Sequence, residues 1–468
     1  MIFTPFFSLS QSSAQKVGTM MTSIAVDQRG CGLGKTTVGI YTQIRNNMLS
    51  GDHTMVVVPS ILLQNEYQRH FTTARIINNT MGNTTDLVTD AMRRNDSLVI
   101  ITHAAFYRIQ STGYRNNYHL IIDEALEAVI KYNFIDHEEE RDRFHLNWQE
   151  IFGIDSYTTQ LFALNNSNTD WHRLTLLATP DHVILNASNV FKELIDPNYI
   201  HHTTQLGYAN MRARVNKTEF CAELDPHLLS GWNHVHIASG AFMYTKMAAW
   251  MSHHQLAYTI LTDFVPHTGD IHLYTTHDPK FSWSNSKRMT KPTIIRDYHK
   301  CVDKMRTGTI ISLRNNGETS RMSNEILVSH NVHGLNTPEL QVCHDISVES
   351  ALRPVPTIYS FITKCWLVHQ NKTEHRKSLN HMFMAHLFYQ VIMRSALRSR
   401  TYNNERVNIF CIDQNTAVNL MAYFDVVDSH EMEFLDSIAV APVNYKKKQS
   451  GAERQRKYME KKRAMNSK

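Results

Sequence analysis

Short, wholly apolar stretches alternate with amphipathic segments in the first third of the chain. Four apolar stretches predict β-strands: Ile24–Val26, Thr54–Val58, Ser97–Thr102 and His119–Asp123. Between them, Thr37–Met48 and Ile61–Phe71 have the spacing of amphipathic helices. Apolar strands that alternate with helices are typical of a parallel sheet covered on both faces. Such a sheet binds ligands at the carboxyl ends of its strands.

The middle of the chain interrupts this alternation. Residues from about 131 to 228 form a longer and more polar segment, which we interpret as a helical and loop insertion. Val235–Ala238 then predicts a return to the first sheet, with Ile271–Tyr274 as its last strand. The polar stretch Ser282–Lys287 is typical of a hinge.

A second alternation follows the hinge. Helices are predicted at Pro292–Met305, Leu379–Arg398 and Thr416–Phe424. Strands are predicted at Gly308–Leu313, Glu325–Ser329 and Val407–Ile412. We therefore predict an α/β protein with parallel sheets in two tandem domains, 1–287 with its insertion and 288–445, followed by a tail at 446–468.

Composition supports a globular protein. The chain has 468 residues, of which 42% are hydrophobic, enough for two or three domains. No apolar stretch approaches the roughly 20 residues that span a bilayer, and Met1–Phe7 lacks the basic start of a signal peptide. Six scattered cysteines without a Cys-x-x-Cys pair indicate reduced thiols. We expect an intracellular, cytoplasmic protein without membrane partners (in the host cytoplasm if the chain is viral).

Two charged or titratable features need separate interpretation. The 27 histidines include adjacent pairs such as His253-His254, whose spacing favours ordinary histidines over a metal cluster. The tail at 446–468 contains ten Lys or Arg and two Glu, so the remainder of the chain is close to neutral. Such a tail predicts an electrostatic clamp on phosphates or, alternatively, a terminus that only increases solubility.

The glycine-rich stretch Gly30–Thr37 directly follows the first apolar strand. Glycines allow backbone N–H groups to turn toward phosphates, Lys35 can reach the β- and γ-phosphates, and the Thr36 hydroxyl can hold Mg²⁺. The pattern predicts a nucleoside triphosphate site. Its predicted binding residues are Gly32, Leu33, Gly34, Lys35, Thr36 and Thr37.

Two adjacent carboxylates, Asp123 and Glu124, follow the fourth apolar strand. In a phosphate-loop ATPase the first carboxylate holds Mg²⁺ through water, and the second orients or deprotonates the attacking water. The alternative is that both cap a helix at Ala125–Ile130.

Gly-Leu-Gly-Lys-Thr and Asp-Glu-Ala-Leu together resemble motifs I and II of the superfamily 2 helicases, the DEAD/DEAH-like group. The resemblance implies two RecA-like domains with ATP and Mg²⁺ between them and a nucleic-acid strand across their top. The chain looks most similar to compact bacteriophage-encoded DNA helicases, which favours DNA over RNA. Replication or recombination proteins are possible partners that the sequence does not identify.

Further motifs extend the resemblance. By analogy with the family, nucleic-acid contacts fall on Pro59, Ser60, Thr102, His103, Gly334 and Asn336. Ser239-Gly240-Ala241 resembles the motif that couples the ATP state to strand binding. Leu177–Pro180 competes for this role, and we prefer Ser239 because the first domain would otherwise end too early. Gln11 is either the upstream glutamine that contacts adenine or a solvent-facing side chain.

Gln390–Arg398 is similar to motif VI, which implies catalytic roles for Gln390, Arg394 and Arg398. Spacing of i and i+4 predicts both arginines on one helix face, aimed at one γ-phosphate. Met393 stands where glycine is usual and the final arginine comes one residue late, so either arginine can be the finger. The alternative is an exposed basic helix face.

The predicted function is an ATP-dependent nucleic-acid helicase or translocase. One alternative is a viral DNA-packaging ATPase, although the second half lacks the clustered acids of a nuclease. Another is a nucleic-acid-binding protein with a vestigial nucleotide site. A third is a small-molecule kinase with the same loop.

Overall fold

The structure is a computed structural model of the protein. It describes residues 22–109, 113–133, 162–163, 170–171, 194–203, 219–276, 278, 281–284, 292–314, 322–328, 337–350, 352, 356–398 and 405–433. Within these ranges, no helix combines the length and the apolar character needed to cross a membrane.

The strands of the described residues are β1 (Ser23–Asp27), β2 (His53–Val58), β3 (Arg75–Ile77), β4 (Leu98–Thr102), β5 (Tyr118–Asp123), β6 (Val129–Asn133), β7 (Phe162–Ala163), β8 (Tyr199–Thr203), β9 (Glu219–Leu224), β10 (His234–Ala238), β11 (Thr259–Thr262), β12 (Ile271–Thr276), β13 (Ile310–Leu313), β14 (Glu325–Val328), β15 (Asp345–Val348), β16 (Val407–Cys411) and β17 (Asp428–Met432). The α-helices are α1 (Tyr41–Ser50), α2 (Ile61–His70), α3 (Thr84–Arg93), α4 (His103–Phe106), α5 (Lys246–His253), α6 (Pro292–Met305), α7 (Pro338–Gln341), α8 (Pro356–Phe361), α9 (Lys372–Asn380), α10 (His386–Ile392) and α11 (Gln414–Leu420).

The first sheet has the strand order β11-β1-β10-β5-β2-β4-β3, and every pairing in it is parallel. Its central strands are buried along their length, which explains their near-continuous Val, Ile and Leu content. The second sheet has the order β14-β13-β15-β16-β12-β17, again all parallel. The predicted pair of parallel α/β domains is confirmed.

The passage between the sheets differs from the prediction. Ile271–Tyr274, predicted as the last strand of the first sheet, belongs to β12, which pairs with β16 and β17 in the second sheet. The last strand of the first sheet is β11, which pairs with β1. The chain therefore changes sheets between Thr262 and Ile271, upstream of the predicted hinge.

The insertion also differs from the prediction. Its described parts form a four-stranded antiparallel sheet in the order β6-β9-β8-β7, so the predicted helical character is wrong for these residues. Pairing of β6 with β9 joins Asn133 to Glu219, which are far apart in sequence. A local pattern cannot show such pairings, because sheet hydrogen bonds form between distant segments.

Caps set the starts of the helices that follow strands. The Ser60 hydroxyl accepts a hydrogen bond from Leu63 N at 3.2 Å at the start of α2, and Thr102 accepts one from Ala105 N at 3.3 Å at the start of α4. Asn371 and Glu374 form a complete capping box at the start of α9. Ser60 and Thr102 thus mark where β2 and β4 give way to helices at the carboxyl edge of the first sheet, whereas α9 follows another helical segment.

The chain from α9 to α10 connects the two hydrophobic cores. A π-helical turn, His381–Ala385, joins the two helices. Leu379 and Met382 pack in the core of the first sheet, whereas Phe388 and Tyr389 pack in that of the second. Cys31 of the glycine-rich loop also lies in the second core. This packing brings the loop against the second half of the chain.

Candidate nucleotide site

The glycine-rich loop makes a tight turn between β1 and a helical stretch. Gly32 and Gly34 have φ angles of 81° and 79°, a left-handed region that favours glycine. The helical stretch then begins at Lys35, first as the π-helical turn Lys35–Ile40 and then as α1. Its amino end carries backbone N–H groups that can bind an anion.

Lys35 is 6% exposed and lies beside the predicted coupling segment. A Cβ added to Gly240 would lie 3.1 Å from Lys35 Nζ and 3.3 Å from Cys31 Sγ. Ser239 N also donates to Asp27 O at 3.0 Å, and Ala241 N donates to Gln28 O at 3.2 Å. The segment after β10 therefore packs directly on the phosphate-binding loop.

Asp123 ends β5 within reach of the loop. Thr36 Oγ1 donates to Asp123 Oδ2 at 3.2 Å, and Tyr67 OH donates to the same oxygen at 2.8 Å. Burial raises the pKa of Asp123 to about 7, an effect that Glu124 reinforces and that Tyr67, Lys35 and Thr36 oppose. A hydroxyl and a carboxylate at this distance suit Mg²⁺, which prefers oxygen ligands.

Glu124 lies next to Asp123 in a constrained backbone conformation. Its φ is 71°, and its backbone N donates to Ala238 O at 3.0 Å. Ser239 Oγ donates to Glu124 Oε2 at 3.3 Å. The alternative that these carboxylates cap a helix is wrong, because the chain continues into strand β6. Glu124 is therefore held at the end of β5 and hydrogen-bonded to Ser239 of the segment that follows β10.

The predicted arginines do not share one helix. Helix α10 ends at Ile392, before Arg394, because the Ala396 amide bonds to Cys343 O at 3.0 Å instead of continuing the helix. Arg398 follows in the 3₁₀ turn Ala396–Arg398. The prediction of an i, i+4 pair on one helix face is therefore wrong.

Both arginines nevertheless face the nucleotide loop. A Cβ added to Gly32 would lie 3.3 Å from Arg398 Cγ. Arg394 is 8% exposed; burial lowers its pKa, with a further lowering from the Arg398 charge, while Cys31, Glu124 and Asp123 raise it. The structure thus brings positive charge from the second half toward the two carboxylates of the first.

Sequence reasoning missed a contact between the halves. Cys31 N donates to Tyr389 OH at 2.6 Å, and His267 Nε2 lies 3.0 Å from the same hydroxyl. Burial lowers the pKa of His267 to about 4, helped by the Lys35 charge, so its ring is neutral near pH 7. Tyr389 directly precedes Gln390, the start of the motif VI-like stretch. This proximity was the only feature of the sequence that pointed to a role for Tyr389.

Gly30→Ala should damage nucleotide use through this contact. The new Cβ would lie 2.5 Å from His267 Nε2 and 3.2 Å from Tyr389 OH, so either the loop or these two side chains must shift, which disturbs the contact with Cys31 N. We expect kcat/KM for ATP to fall on the order of tenfold or more, because small displacements of a reacting group are costly. The matched control is Gly113→Ala, which meets nothing within 4 Å. Equal steady-state kinetics of the two variants would contradict the role of this contact.

Four of the residues predicted to bind nucleic acid, Pro59, Ser60, Thr102 and His103, lie at the ends of β2 and β4. The hydroxyls of Ser60 and Thr102 cap helices, and His103 Nε2 lies 3.3 Å from Asp123 O. A cleft of about 500 Å³ opens beside them. Its lining comes from both halves and includes Pro59, His103, Glu124, Phe383, His386 and Gln390. Gln390 is 6% exposed and lies 3.2 Å from His386 through its Nε2 atom.

Several predicted positions lie outside the described residues. They are Gln11, the competing stretch Leu177–Pro180, Gly334, Asn336 and the tail at 446–468.

The chain has only a limited resemblance to known proteins. No protein-family model matches the chain, and a search of curated proteins finds no match. The chain is similar to Xpd4 from S. tokodaii with a TM-score of 0.42 and 10% identity, over 84% of this chain and 92% of that one. It is similar to S. cerevisiae Dbp5 bound to RNA and ADP BeF3 with a TM-score of 0.34 and 9% identity, over 89% and 86%. It is similar to the DUF1998 helicase MrfA bound to DNA and AMPPNP with a TM-score of 0.31 and 8% identity, over 84% and 46%.

Proposed function

We propose that the chain hydrolyses ATP between its two parallel sheets and uses the cycle to translocate along or unwind nucleic acid. One observation carries the proposal. The glycine-rich loop and the carboxylates of the first half meet Arg394 and Arg398 of the second half at one place. Groups of opposite charge supplied by two halves are what phosphoryl transfer needs.

The residues divide the chemistry between them. The loop N–H groups and Lys35 hold the phosphates, while Thr36 and Asp123 hold Mg²⁺, which neutralises phosphate charge when bound. Glu124 takes a proton from water as the water oxygen bonds to the γ-phosphorus, and the bond from that phosphorus to the β–γ bridging oxygen breaks. The arginines stabilise the charge that develops on the transferred group.

The proposed coupling runs through Ser239. Its hydroxyl contacts Glu124, and its backbone joins the loop strand β1. A change at the γ-phosphate can therefore reach the segment before α5 and, across the cleft, the helix pair α9–α10. We propose that the strand lies over Pro59, Ser60, Thr102 and His103, with Gly334 and Asn336 completing its path.

Finer features of the proposal rest on the resemblance alone. DNA is favoured over RNA, and the compact phage helicases remain the suggested group. The proposal also includes domain limits of 1–287 and 288–445, adenine contact by Gln11 and a phosphate clamp at 446–468.

ATP hydrolysis measured with and without single-stranded DNA or RNA tests the function. We expect either polynucleotide, and DNA more strongly, to stimulate turnover of the wild type. Lys35→Ala should reduce turnover to background, because the phosphates lose their only lysine contact in the loop. Turnover that ignores both polynucleotides would reject the motor function. A different result would support a vestigial nucleotide site: the wild type hydrolyses no ATP, and both it and Lys35→Ala bind nucleic acid.

A further inference from the structure

We propose a second, independent site for a zinc-type divalent cation, formed by Glu223, His253 and His254. Glu223 lies on β9 of the inserted sheet, His253 ends α5, and His254 is the next residue. One oxygen or ring-nitrogen atom from each lies within 4.8 Å of those of the other two. Imidazole and carboxylate groups in this combination are ligands of Zn²⁺.

The spacing between the Glu223 and His254 ligand atoms is close to that around a tetrahedral ion. His254 Nε2 lies 3.1 Å from Glu223 Oε2. Zinc bonds of about 2.0–2.1 Å in a tetrahedron place ligand atoms roughly 3.3 Å apart. This pair is therefore close to the separation that zinc requires, and the His253 ligand atom lies within 4.8 Å of both.

Charge also favours a cation at this site. Glu223 is 1% exposed, and the described residues that contact it are histidines and a tryptophan rather than Lys or Arg. Its two carboxylate oxygens contact His202, His254 and Trp366. A buried carboxylate is costly unless it is paired or binds a metal.

Outer contacts orient two of the three ligands, Glu223 and His253, as in known metal sites. His202 Nε2 lies 2.9 Å from Glu223 Oε1, and Trp366 Nε1 donates to Glu223 Oε2 at 2.8 Å. The His253 ring hydrogen-bonds the backbone of Cys365. A metal-binding histidine usually donates its second ring N–H to such an acceptor.

The position of the histidines explains why sequence spacing argued against this site. Adjacent residues inside a helix point about 100° apart, but His254 lies just beyond the end of α5, where the chain turns. The two rings contact each other with centroids 4.7 Å apart. His253 is exposed, which provides an entry path and leaves room for water as a fourth ligand.

A second histidine cluster provides the comparison. Ligand atoms of His272, Asp428 and His430 also lie close together. Arg406 Nη2, however, is 3.5 Å from His430 Nε2, so positive charge is already present there. We infer that this cluster binds a cation more weakly than the Glu223 site.

Zinc binding by the full chain tests the proposal without reference to ATPase activity. Chelator-treated protein is incubated with ZnCl₂ and desalted, and the zinc bound per chain is measured. We expect the wild type and His430→Ala to retain one tightly bound ion. His253→Ala should lower zinc affinity at least ten- to a hundredfold, and His202→Ala by a comparable or smaller factor.

Thermal unfolding provides a second measurement. Because His253 is exposed, its replacement should leave the metal-free unfolding temperature close to that of the wild type. Added zinc should raise the unfolding temperature of the wild type and not that of His253→Ala. Retention of stoichiometric zinc by His253→Ala, or its loss in His430→Ala, would overturn the proposal. So would failure of the wild type to bind zinc, whatever its ATPase activity.

Discussion

Arg394→Gln should reduce ATP turnover on the order of a thousandfold or more while nucleotide binding changes little. Arg394 lies at the end of the second-half helix pair, and its charge interacts with Asp123 and Glu124 across the site. A guanidinium from a second lobe stabilises charge that appears mainly in the transition state. Loss of such a group lowers kcat more than it weakens ground-state binding. Single-turnover hydrolysis and a fluorescent ATP analogue measure the two quantities separately.

Two further arginine variants control this prediction. Arg398→Gln tests the residue that lies against Gly32, and it should affect nucleotide binding more than Arg394→Gln does. Arg296→Gln removes an arginine whose side chain is 62% exposed, and it should behave as wild type. Similar turnover of Arg394→Gln and Arg296→Gln would contradict a role for Arg394 at the γ-phosphate. Because Arg394 is buried, its replacement can also destabilise the fold. The unfolding temperature of each variant is therefore measured together with its kinetics.

The glycine turn after β1 and the two carboxylates at the end of β5 could be predicted because they depend on the local order of residues. A strand, a glycine turn and a lysine must be consecutive for the loop to work, and Asp123 must end a strand. Tyr389 could not be predicted in this way. It reaches Cys31 across 358 positions of sequence, and a tyrosine within an apolar helix face is ordinarily a core residue.

Sheet membership was harder to predict than strand position. Strand β12 was predicted within two residues of its limits, but the sheet was wrong. Buried parallel strands share the same apolar composition, so composition cannot choose between two such sheets. The prediction for the insertion was wrong for another reason. Cys221, Ala222 and Leu224 of β9 are all buried, although neighbouring side chains of a strand point to opposite faces, so the sequence lacks the alternation of apolar and polar residues that marks a strand.

The two arginines lie near the glycine-rich loop although the predicted helix geometry is wrong. Spacing of Arg394 and Arg398 predicted a continuous helix, and the helix instead stops where Ala396 N bonds to Cys343 O. That acceptor belongs to the loop between α7 and β15, which a local pattern does not include. Arg398 still reaches Gly32, because the turn brings its backbone and side chain against the loop.

Glu124→Gln should lower strand-stimulated ATP turnover on the order of a hundred- to ten-thousandfold, the range for loss of a general base. Glutamine has the same shape and retains an oxygen that can accept the Ser239 hydroxyl, which lies 3.3 Å from Glu124 Oε2. The left-handed backbone at φ 71° is unaffected by this exchange. ATP binding should therefore persist, and nucleic acid should remain bound to an ATP-loaded protein that cannot complete the cycle. Steady-state turnover and filter binding with ATP measure these effects.

Glu127→Gln is the matched control, because Glu127 lies in the same loop and lines the same cleft. Its carboxylate pairs with Lys246 at 2.7 Å, and its side chain is 49% exposed, so its loss should change turnover by less than about threefold. Ser239→Ala separates chemistry from coupling: basal hydrolysis should persist while stimulation by a strand falls. If Glu124→Gln hydrolyses ATP as fast as Glu127→Gln, another group activates the water, and the contact between Ser239 and Glu124 cannot carry the signal.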